Sequence, residues 1–398
     1  MSHPLAEVRV LELTNFIAGP FCGCQLADLG ADVIKIETPG AGDHARRNPP
    51  IVAGDGAAFF ALNRGKRSVA LDLKDRRGRA AFLRLVETAD VLIENMRPGA
   101  MADLGIDAET VRSINPRLIY CSISGFGQTG PWSSRAGLDL IAQAASGIMS
   151  ITGEPGGAPV KCGIPVADLA TALYGALAIT AALRARDETG VGQTIDLSLF
   201  ESALALGVWE TAQYFATGEV AEPLGSGHRS SAPYQAFRCV DGYITLGAVT
   251  PASWHGVCVA LGEEHLEKDS RFDTVVKRKS RERELAEILE AVTITMPRDH
   301  WQTRLGEAGV PSGPIYRYDE ALATDHVRER GMVATVDHPR AGEVRMVASP
   351  IHFGGTPTRR PAAAPILGQH GHEVFQEIGM SDGDIAALVS AGVLVVPG

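Results

Sequence analysis

The most constraining feature of this sequence is the alternation of short β-rich runs with helical patterns over its first third. The strand-like runs, each rich in Val, Ile and Leu, are residues 8–13, 31–37, 68–73, 90–96 and 117–127. Helical periodicity marks residues 21–30 and 75–89 between them. Such alternation is typical of βαβ units, and it predicts an α/β fold with a doubly wound parallel sheet.

After the first third, changes in amino-acid composition along the chain indicate where the domains begin and end. Small apolar residues fill two predicted buried helices in the middle of the sequence. A stretch rich in Gly, Ser and Pro at residues 218–233 then predicts a linker, and residues 234–248 predict a hairpin. This layout predicts a Rossmann-like large domain with a smaller inserted α+β domain, the large domain formed by residues 1–220 and 326–398 and the small one by residues 221–325.

Charge and cysteine usage narrow the possible partners. The formal net charge of −10 gives no broad attraction to nucleic acid or to an anionic membrane. The six cysteines form no CxxC pair, which favours reduced thiols in a cytoplasmic enzyme. No leader pattern and no long uninterrupted apolar run occurs in the sequence, so no membrane partner is expected.

Motifs for common cofactors are incomplete. The turn after the first strand, TNFIAGPFCG, lacks GxGxxG, which disfavours NAD. His370 and His372 form a close pair without a third ligand at helical spacing, so surface histidines are expected and no metal. Cys162 has no nearby His to lower its pKa and is interpreted as a structural thiol.

Asp168 has two interpretations from the residues alone. It follows a Pro-containing loop and precedes an apolar helix, which suits an N-cap. The same position gives a carboxylate a dry setting, where partial desolvation strengthens a nucleophile. The local pattern leaves both open.

A set of longer motifs extends over nearly the whole chain. They are ADLGADVIKIE, NRGKRSVALDLK, ADVLIENMRPG, NPRLIYCSISGFGQTGP, PVADLATALYGALAITAAL, TGVGQTIDLSLFESAL and GVPSGPI. Together they resemble class III CoA-transferases, the family of formyl-CoA transferase and carnitine CoA-transferase. The resemblance implies an interlocked, ring-like homodimer, coenzyme A or acyl-CoA as substrate, and Asp168 as catalytic residue.

The resemblance also implies a CoA site. The residues that match the CoA-binding positions of the family are Ile17, Ala18, Thr38, Leu71, Asp72, Leu73, Lys74, Asn95, Met96, Arg97, Arg135, Ala136, Gly137 and Leu138. Thr38 and Asp103 stand where formyl-CoA transferase has arginines, and Ile17 replaces its active-site glutamine. Phosphate contacts are therefore expected from Lys66, Arg67, Lys74, Arg97 or Arg135. A solvated face is the alternative interpretation of the basic run at residues 63–79.

The chemistry implied by the resemblance is covalent. Asp168 attacks the thioester to form a mixed anhydride, and the CoA thiolate returns to form an aspartyl-CoA thioester. Asp139 matches a family acid and is expected either to position substrate or to end a helix. His228 and Arg229 lie in a loop expected either to face a dicarboxylate, such as succinate, malate, mesaconate or glutarate, or to be surface charges.

Two other classes of function remain as alternatives. The α-methylacyl-CoA racemases are similar in fold and sequence, but they place a His, as a second acid–base group, where this chain has Leu138. A non-catalytic CoA-binding protein is disfavoured because Asp168 is retained in its full motif.

Overall fold

A seven-stranded sheet organises the larger part of the fold. The computed structural model describes residues 3–397. Within that range the strands are β1 Arg9–Leu13, β2 Asp32–Glu37, β3 Ile51–Val52, β4 Asp55–Gly56, β5 Arg67–Leu71, β6 Val91–Glu94, β7 Ile119–Ser124, β8 Thr194–Ser198, β9 Tyr234–Cys239, β10 Gly242–Gly247, β11 Ser312–Pro314, β12 Val333–His338, β13 Gly342–Val347 and β14 Leu394–Val395. The central sheet has the order β14-β5-β2-β1-β6-β7-β8, and all neighbours in it are parallel except β14 and β5. The predicted α/β class with a parallel sheet is confirmed.

Helices connect these strands, as parallel pairing requires. In the described residues the α-helices are α1 Ala18–Asp28, α2 Ala57–Leu62, α3 Arg76–Val86, α4 Ala100–Asp103, α5 Ala108–Ile114, α6 Asp139–Ala145, α7 Ile148–Ile151, α8 Val166–Thr189, α9 Leu199–Leu206, α10 Val208–Thr217, α11 Pro251–Leu261, α12 Val275–Ser280, α13 Glu282–Thr293, α14 Arg298–Glu307, α15 Tyr318–Ala323, α16 Asp325–Glu329, α17 Gly371–Glu377 and α18 Asp382–Ser390.

Alternating side chains along the strands supply a hydrophobic core on each face of the sheet. On β1, Leu11 and Leu13 join a core formed with α3, α17 and α18, while Val10 joins a core formed with α1 and α8. Helix α8 approaches α1 closely at Gly175, where an added Cβ would lie 2.9 Å from Cys22 Sγ. A small residue at this position therefore allows the two helices to pack.

Helix α8 is 24 residues long and largely apolar. By length and composition it is the one helix within residues 3–397 that could cross a membrane, and half of its most apolar window is buried in the fold. Buried core helices meet the same criterion, so this is weak evidence for a membrane span. The expected absence of a membrane partner stays a prediction.

The strand order reverses between β1 and β6. From β1 the chain continues to β2 and β5 on one side, and the later strands β6, β7 and β8 lie on the other. Connections diverge at the carboxyl ends of β1 and β6, and open α/β sheets bind their ligands in the crevice that such a reversal leaves. Residues 14–18 and 95–98, which follow these two strands, flank that crevice.

The described residues divide into two compact units. The larger unit comprises residues 3–148, 161–216 and 326–397, and the smaller comprises Met149–Val160 and Thr217–Asp325. The smaller unit contains the antiparallel sheet β11-β10-β9 and a core of its own that includes Phe237, Trp254 and Trp301.

Residues 149–160 group with the smaller unit, although the sequence pattern predicts that they belong to the large domain. Gly225 N–H donates to Gly153 O at 2.8 Å, which joins this segment to the chain that follows residue 217. The domains expected at residues 1–220, 221–325 and 326–398, and the ring-like dimer, stay predictions.

Candidate active site

A cavity of about 680 Å³ lies at the carboxyl ends of β1, β6 and β7, within the larger unit. The predicted site residues that line it are Ile17, Ala18, Asn95, Met96, Arg97, Arg135, Ala136, Gly137, Leu138, Asp139 and Asp168. The fold thus brings together segments that lie far apart in the sequence, at the crevice that the strand order creates.

The segment between β1 and α1 forms one wall of the cavity. Asn15 N–H donates to Asn95 Oδ1 at 2.8 Å, and Asn95 Nδ2–H donates back to Asn15 O at 2.9 Å. Phe16 has a φ of 63° and its N–H donates to Asp43 Oδ1 at 3.0 Å. This left-handed conformation is uncommon for an aromatic residue and concentrates at functional sites. The hydrogen bonds hold the strained turn that leads to Ile17.

Helix α1 begins at the cavity without a side-chain cap. Its N-cap residue, Ile17, and its first residue, Ala18, both line the cavity. The first amides of a helix have no intrahelical acceptor, and the positive end of the helix dipole lies there. This end of α1 is therefore suited to stabilise negative charge on a ligand.

Buried charges support the same wall through Asp43. Lys35 Nζ lies 2.8 Å from Glu12 Oε1 and 2.9 Å from Asp43 Oδ2, and Lys66 Nζ lies 2.7 Å from Glu12 Oε2. All four side chains are buried. Burial opposes the charge of Lys35, yet the nearby Glu12 and Asp43 carboxylates raise its pKa above the ordinary value. Lys35 therefore remains protonated inside the fold.

Two basic residues expected to bind phosphate are instead bound within the protein. Lys66 Nζ also donates to Pro20 O at 2.8 Å and to Asn63 Oδ1 at 2.9 Å. The guanidinium of Arg67 lies 2.6 Å from Asp32 Oδ2. The structure contradicts the expectation that Lys66 and Arg67 bind phosphate, because protein oxygens already surround both groups.

Asp168 lies in the first turn of α8, half-buried in the cavity wall. The N-cap of α8 is Pro165, so the interpretation of Asp168 as the N-cap is wrong. Within residues 3–397 its carboxylate accepts no hydrogen bond and forms no ion pair. Burial, together with the Asp139 carboxylate, raises the pKa of Asp168 to about 7. A partly desolvated, unpaired carboxylate is a stronger nucleophile than a solvated one.

A hydrogen-bond chain ties the segment before α8 to α6. Cys162 N–H donates to Gln143 Oε1 at 2.9 Å, and Gln143 Nε2–H donates to Asp139 Oδ2 at 2.6 Å. Ala167 N–H donates to Asp139 Oδ1 at 2.9 Å. Asp139 thus supplies from another helix the cap that Pro165 cannot provide. Asp139 therefore has a role at a helix end, and its role in positioning substrate stays a prediction.

Three basic side chains line the cavity, namely those of Arg97, Arg135 and Lys161. Arg97 Nη2 lies 2.7 Å from Asp103 Oδ2, on the exposed surface. The guanidinium of Arg135 lies 4.4 Å from the centre of the Trp132 ring. Sequence reasoning missed Lys161, because it lies in a loop without periodicity or a recognised motif.

The segment that carries Arg135 closes on itself. A Cβ added to Gly125 would lie 2.6 Å from Gly137 Cα, so the two backbones touch and neither position accepts a side chain. Gly127 N–H donates to Ser124 Oγ at 2.9 Å, which fixes the start of the loop. The 125–137 loop therefore leaves and rejoins the cavity wall at a single point.

Several predicted residues, all within the described range, do not line this cavity. In the larger unit they are Thr38, Leu71, Asp72, Leu73 and Lys74. They lie at the carboxyl ends of β2 and β5, along the same sheet edge as the cavity, and their contact with CoA stays a prediction. His228 and Arg229 belong to the smaller unit, where Arg229 Nη1–H donates to Glu222 O at 3.2 Å. Their contact with substrate also stays a prediction.

Within the described residues the cavity has neither a metal-binding cluster nor a histidine. Within residues 3–397 no cluster of three or more His, Cys, Asp or Glu side chains could hold a metal ion. Among the described residues, no histidine lines the cavity. Leu138, at the position where the racemases resembled by this chain place a His, lines the cavity with 69% of its surface exposed.

The chain is similar to known proteins over nearly its whole length. CoA-transferase family III matches residues 5–371 of the chain. A succinyl-CoA:glutarate CoA-transferase from Mus musculus is 38% identical over 98% of this chain and 90% of its own length. A succinyl-CoA:mesaconate CoA-transferase from Haloarcula hispanica is 38% identical over 95% of this chain and 97% of its own. The crystal structure of a CAIB/BAIF family protein from Brucella suis is 38% identical, covers 95% of this chain and 100% of its own, and has a TM-score of 0.86.

Proposed function

The chain belongs to CoA-transferase family III, and from this we propose that Asp168 carries first the acyl group and then CoA as covalent intermediates. The enzyme transfers CoA between an acyl-CoA and a carboxylic acid. One observation carries the proposal: the carboxylate of Asp168 lies half-buried in the cavity with no cation and no hydrogen-bond donor bound to it in the described structure. Succinyl-CoA is the proposed donor, because both of the curated relatives above are named for it.

The proposed reaction conserves one activated bond throughout. The Asp168 carboxylate attacks the thioester carbonyl, the C–S bond breaks, and CoA leaves as a thiolate from a mixed anhydride. The thiolate attacks the aspartyl carbonyl, which releases the donor acid and leaves an aspartyl-CoA thioester. The acceptor carboxylate then displaces the thiolate to form a second anhydride. Attack of the thiolate on the acceptor carbonyl gives the new acyl-CoA and restores Asp168, so no ATP is needed.

Each step passes through a tetrahedral oxyanion that needs hydrogen-bond donors. The start of α1, at Ile17 and Ala18, offers backbone amides without a side-chain cap at the cavity. Donors that are already oriented stabilise such charge without reorganisation during the reaction. We therefore assign oxyanion stabilisation to this end of α1.

The CoA moiety is proposed to lie along the carboxyl edge of the sheet. Arg97 and Arg135 line the cavity, and a guanidinium binds phosphate oxygens through two parallel hydrogen bonds. Thr38 and Lys74 lie further along the same edge, after β2 and β5. A homodimer and a cytoplasmic location are proposed on the family resemblance, and the latter also on the free cysteines of the described residues.

The racemase alternative lacks its second acid–base group. Proton delivery to the opposite face of an α-carbon needs a group across from Asp168. Leu138 stands at the position where that family has a His. The cavity therefore favours acyl transfer over proton transfer.

The experiment that tests the proposal traps the intermediate. The enzyme is incubated with succinyl-CoA, treated with hydroxylamine or borohydride, digested and examined by mass spectrometry. We expect modification of the peptide that contains Asp168, and loss of transfer to below about one thousandth in Asp168→Asn. Asp187→Asn, a matched change at the exposed far end of α8, should leave both unchanged. Substantial transfer by Asp168→Asn contradicts the proposal.

A further inference from the structure

One charge in the cavity has no role in the steps above. Lys161 lines the cavity together with Asp168, and its side chain is exposed to it. Its ammonium donates to Cys162 O at 3.1 Å. Within residues 3–397 no carboxylate pairs with it. An ammonium in a ligand cavity that still has N–H groups available for hydrogen bonding is suited to bind an anionic group of the ligand.

A hydrogen-bond chain holds the backbone between Lys161 and Asp168. Both residues flank the short segment 162–167, one on each side. Gln143 accepts a hydrogen bond from Cys162 at the start of this segment, and Asp139 accepts one from Ala167 at its end. Because Gln143 and Asp139 are bonded to each other and belong to the same helix, both ends of the segment are held by one rigid support.

We infer that Lys161 binds the second carboxylate of a dicarboxylic substrate while the first reacts at Asp168. The inference rests on the proposed function and names its substrate class. In the half-reaction with the donor, the same ammonium binds the free carboxylate of succinyl-CoA. Lys161 thereby selects dicarboxylates over monocarboxylates of equal length.

The other charges of the cavity divide in a way that supports this assignment. Arg97 and Arg135 lie in segments that follow β6 and β7, along the sheet edge proposed for CoA. Lys161 instead precedes the helix that carries the nucleophile, and it lines the same cavity as Asp139 and Asp168 without pairing with either in the described structure. A dicarboxylate that reacts at Asp168 therefore has an ammonium without a carboxylate partner in the same cavity for its second carboxylate.

The test compares glutarate with pentanoate, which has the same length and one carboxylate. For Lys161→Met we expect the ratio of kcat/KM for glutarate to that for pentanoate to fall by at least about tenfold, the loss of one charge-assisted hydrogen bond. The inhibition constant of free CoA should stay within about twofold of the wild type. Lys161→Arg, which keeps the charge, should recover part of the discrimination. Lys268→Met, at an exposed lysine of the smaller unit, is the matched control and should change neither quantity.

Two results overturn the inference, namely unchanged discrimination in Lys161→Met or a rise in the CoA inhibition constant as large as the loss of discrimination. The second result would assign Lys161 to CoA. Direct binding of glutarate and pentanoate, measured by calorimetry, does not depend on turnover. If the wild-type protein shows no transfer from succinyl-CoA, the proposed function fails. If the wild-type protein nevertheless binds glutarate more tightly than pentanoate, and Lys161→Met abolishes this difference in affinity, the carboxylate site at Lys161 is still supported.

Discussion

Among single residues, the carboxyl groups of Asp139 and Asp168 lie in one cavity but differ in their hydrogen bonding. Asp139 accepts hydrogen bonds from Ala167 and Gln143, whereas Asp168 accepts none in the described structure. Burial and the charge of Asp139 hold the pKa of Asp168 at about 7. A carboxylate with such a pKa is more basic than an exposed one, and so more nucleophilic, while a useful fraction stays ionised near neutral pH.

The first residue-scale prediction concerns activity and pH. Only ionised Asp168 attacks, so kcat/KM should rise with pH and level off above about 7. Asp139→Asn removes the like charge, which lowers the pKa of Asp168 and moves this limb to lower pH. The pH profile of kcat/KM measures this shift. The pH at which kcat/KM levels off is the quantity to compare, since its maximum value also depends on the altered hydrogen bonds. An unmoved limb contradicts the electrostatic role of Asp139.

The second residue-scale prediction concerns the pH dependence of the free energy of unfolding. A carboxyl whose pKa is raised on folding binds more protons when folded, so its contribution to stability falls as pH rises from the unfolded value towards 7. Asp168→Asn removes this loss. The free energy of unfolding of the variant minus that of the wild type should therefore grow by about 1–3 kcal/mol between about pH 5 and about pH 8. Urea unfolding at both values measures it, and Asp187→Asn should show no such trend.

Sequence reasoning reached some of these residues and not others. The chain-long resemblance indicated Asp168, Asn95 and Arg135, which the fold brings to one cavity. It could not show that Lys66 is buried against Glu12, because a basic run has the same composition whether its ammonium groups point outward or inward. Local pattern therefore predicts charge but not its partner.

At the scale of elements, the start of α8 depends on a helix elsewhere in the chain. Pro165 supplies no side-chain cap, and Asp139 on α6 accepts the Ala167 N–H instead. This support decides where Asp168 lies in the cavity. A cap supplied across two helices has no local sequence signature, which is why the sequence suggested Asp168 itself as the N-cap.

A substitution at Gln143 tests this support, because Gln143 bonds to both Asp139 and Cys162. Gln143→Leu leaves Asp139 Oδ2 and the Cys162 N–H without these partners in a partly buried setting, which should lower the free energy of unfolding by about 1–3 kcal/mol. It should also lower kcat more than it changes the inhibition constant of CoA, because the nucleophile moves and the sheet edge does not. Gln193→Leu, at an exposed side chain, is the control. Unchanged kcat at lower stability would show a purely structural role.

The strands of the central sheet were largely predictable, and the exceptions have physical causes. Runs rich in Val, Ile and Leu predicted the strands β1, β2, β5, β6 and β7, because both faces of such parallel strands are buried. The pairing of β14 with β5 was not predicted, since Leu394–Val395 is too short to show a period. Helix α1 begins at Ala18, earlier than expected, because Gly19 and Pro20 resemble a turn in sequence but fit a first helical turn.

For the whole molecule, the buried network around Lys35 connects the sheet to the cavity wall. Lys35 lies on β2, Glu12 on β1, and Asp43 holds the Phe16 N–H at the cavity. Buried charges add little stability by themselves, but breaking such a group leaves unpaired charges inside. The network therefore makes the shape of the site depend on the integrity of the fold.

The corresponding prediction compares two lysines. Lys35→Met should lower the free energy of unfolding by about 3–5 kcal/mol, because Glu12 and Asp43 lose a buried partner. Lys277→Met, which breaks the exposed pair with Asp273, should cost less than about 1 kcal/mol. Chemical denaturation of both variants measures the difference. Equal effects would mean that the buried network relaxes without penalty.

The contact between Gly125 and Gly137 has a consequence for how the scaffold can diversify. Because the 125–137 loop leaves and rejoins the wall at one point, its ends already meet, and changing its length requires no movement of β7 or α6. Residues can therefore be inserted between the two glycines without breaking the contact between them. New ligand contacts can thus be acquired by insertion here, while the nucleophile and its support are inherited intact.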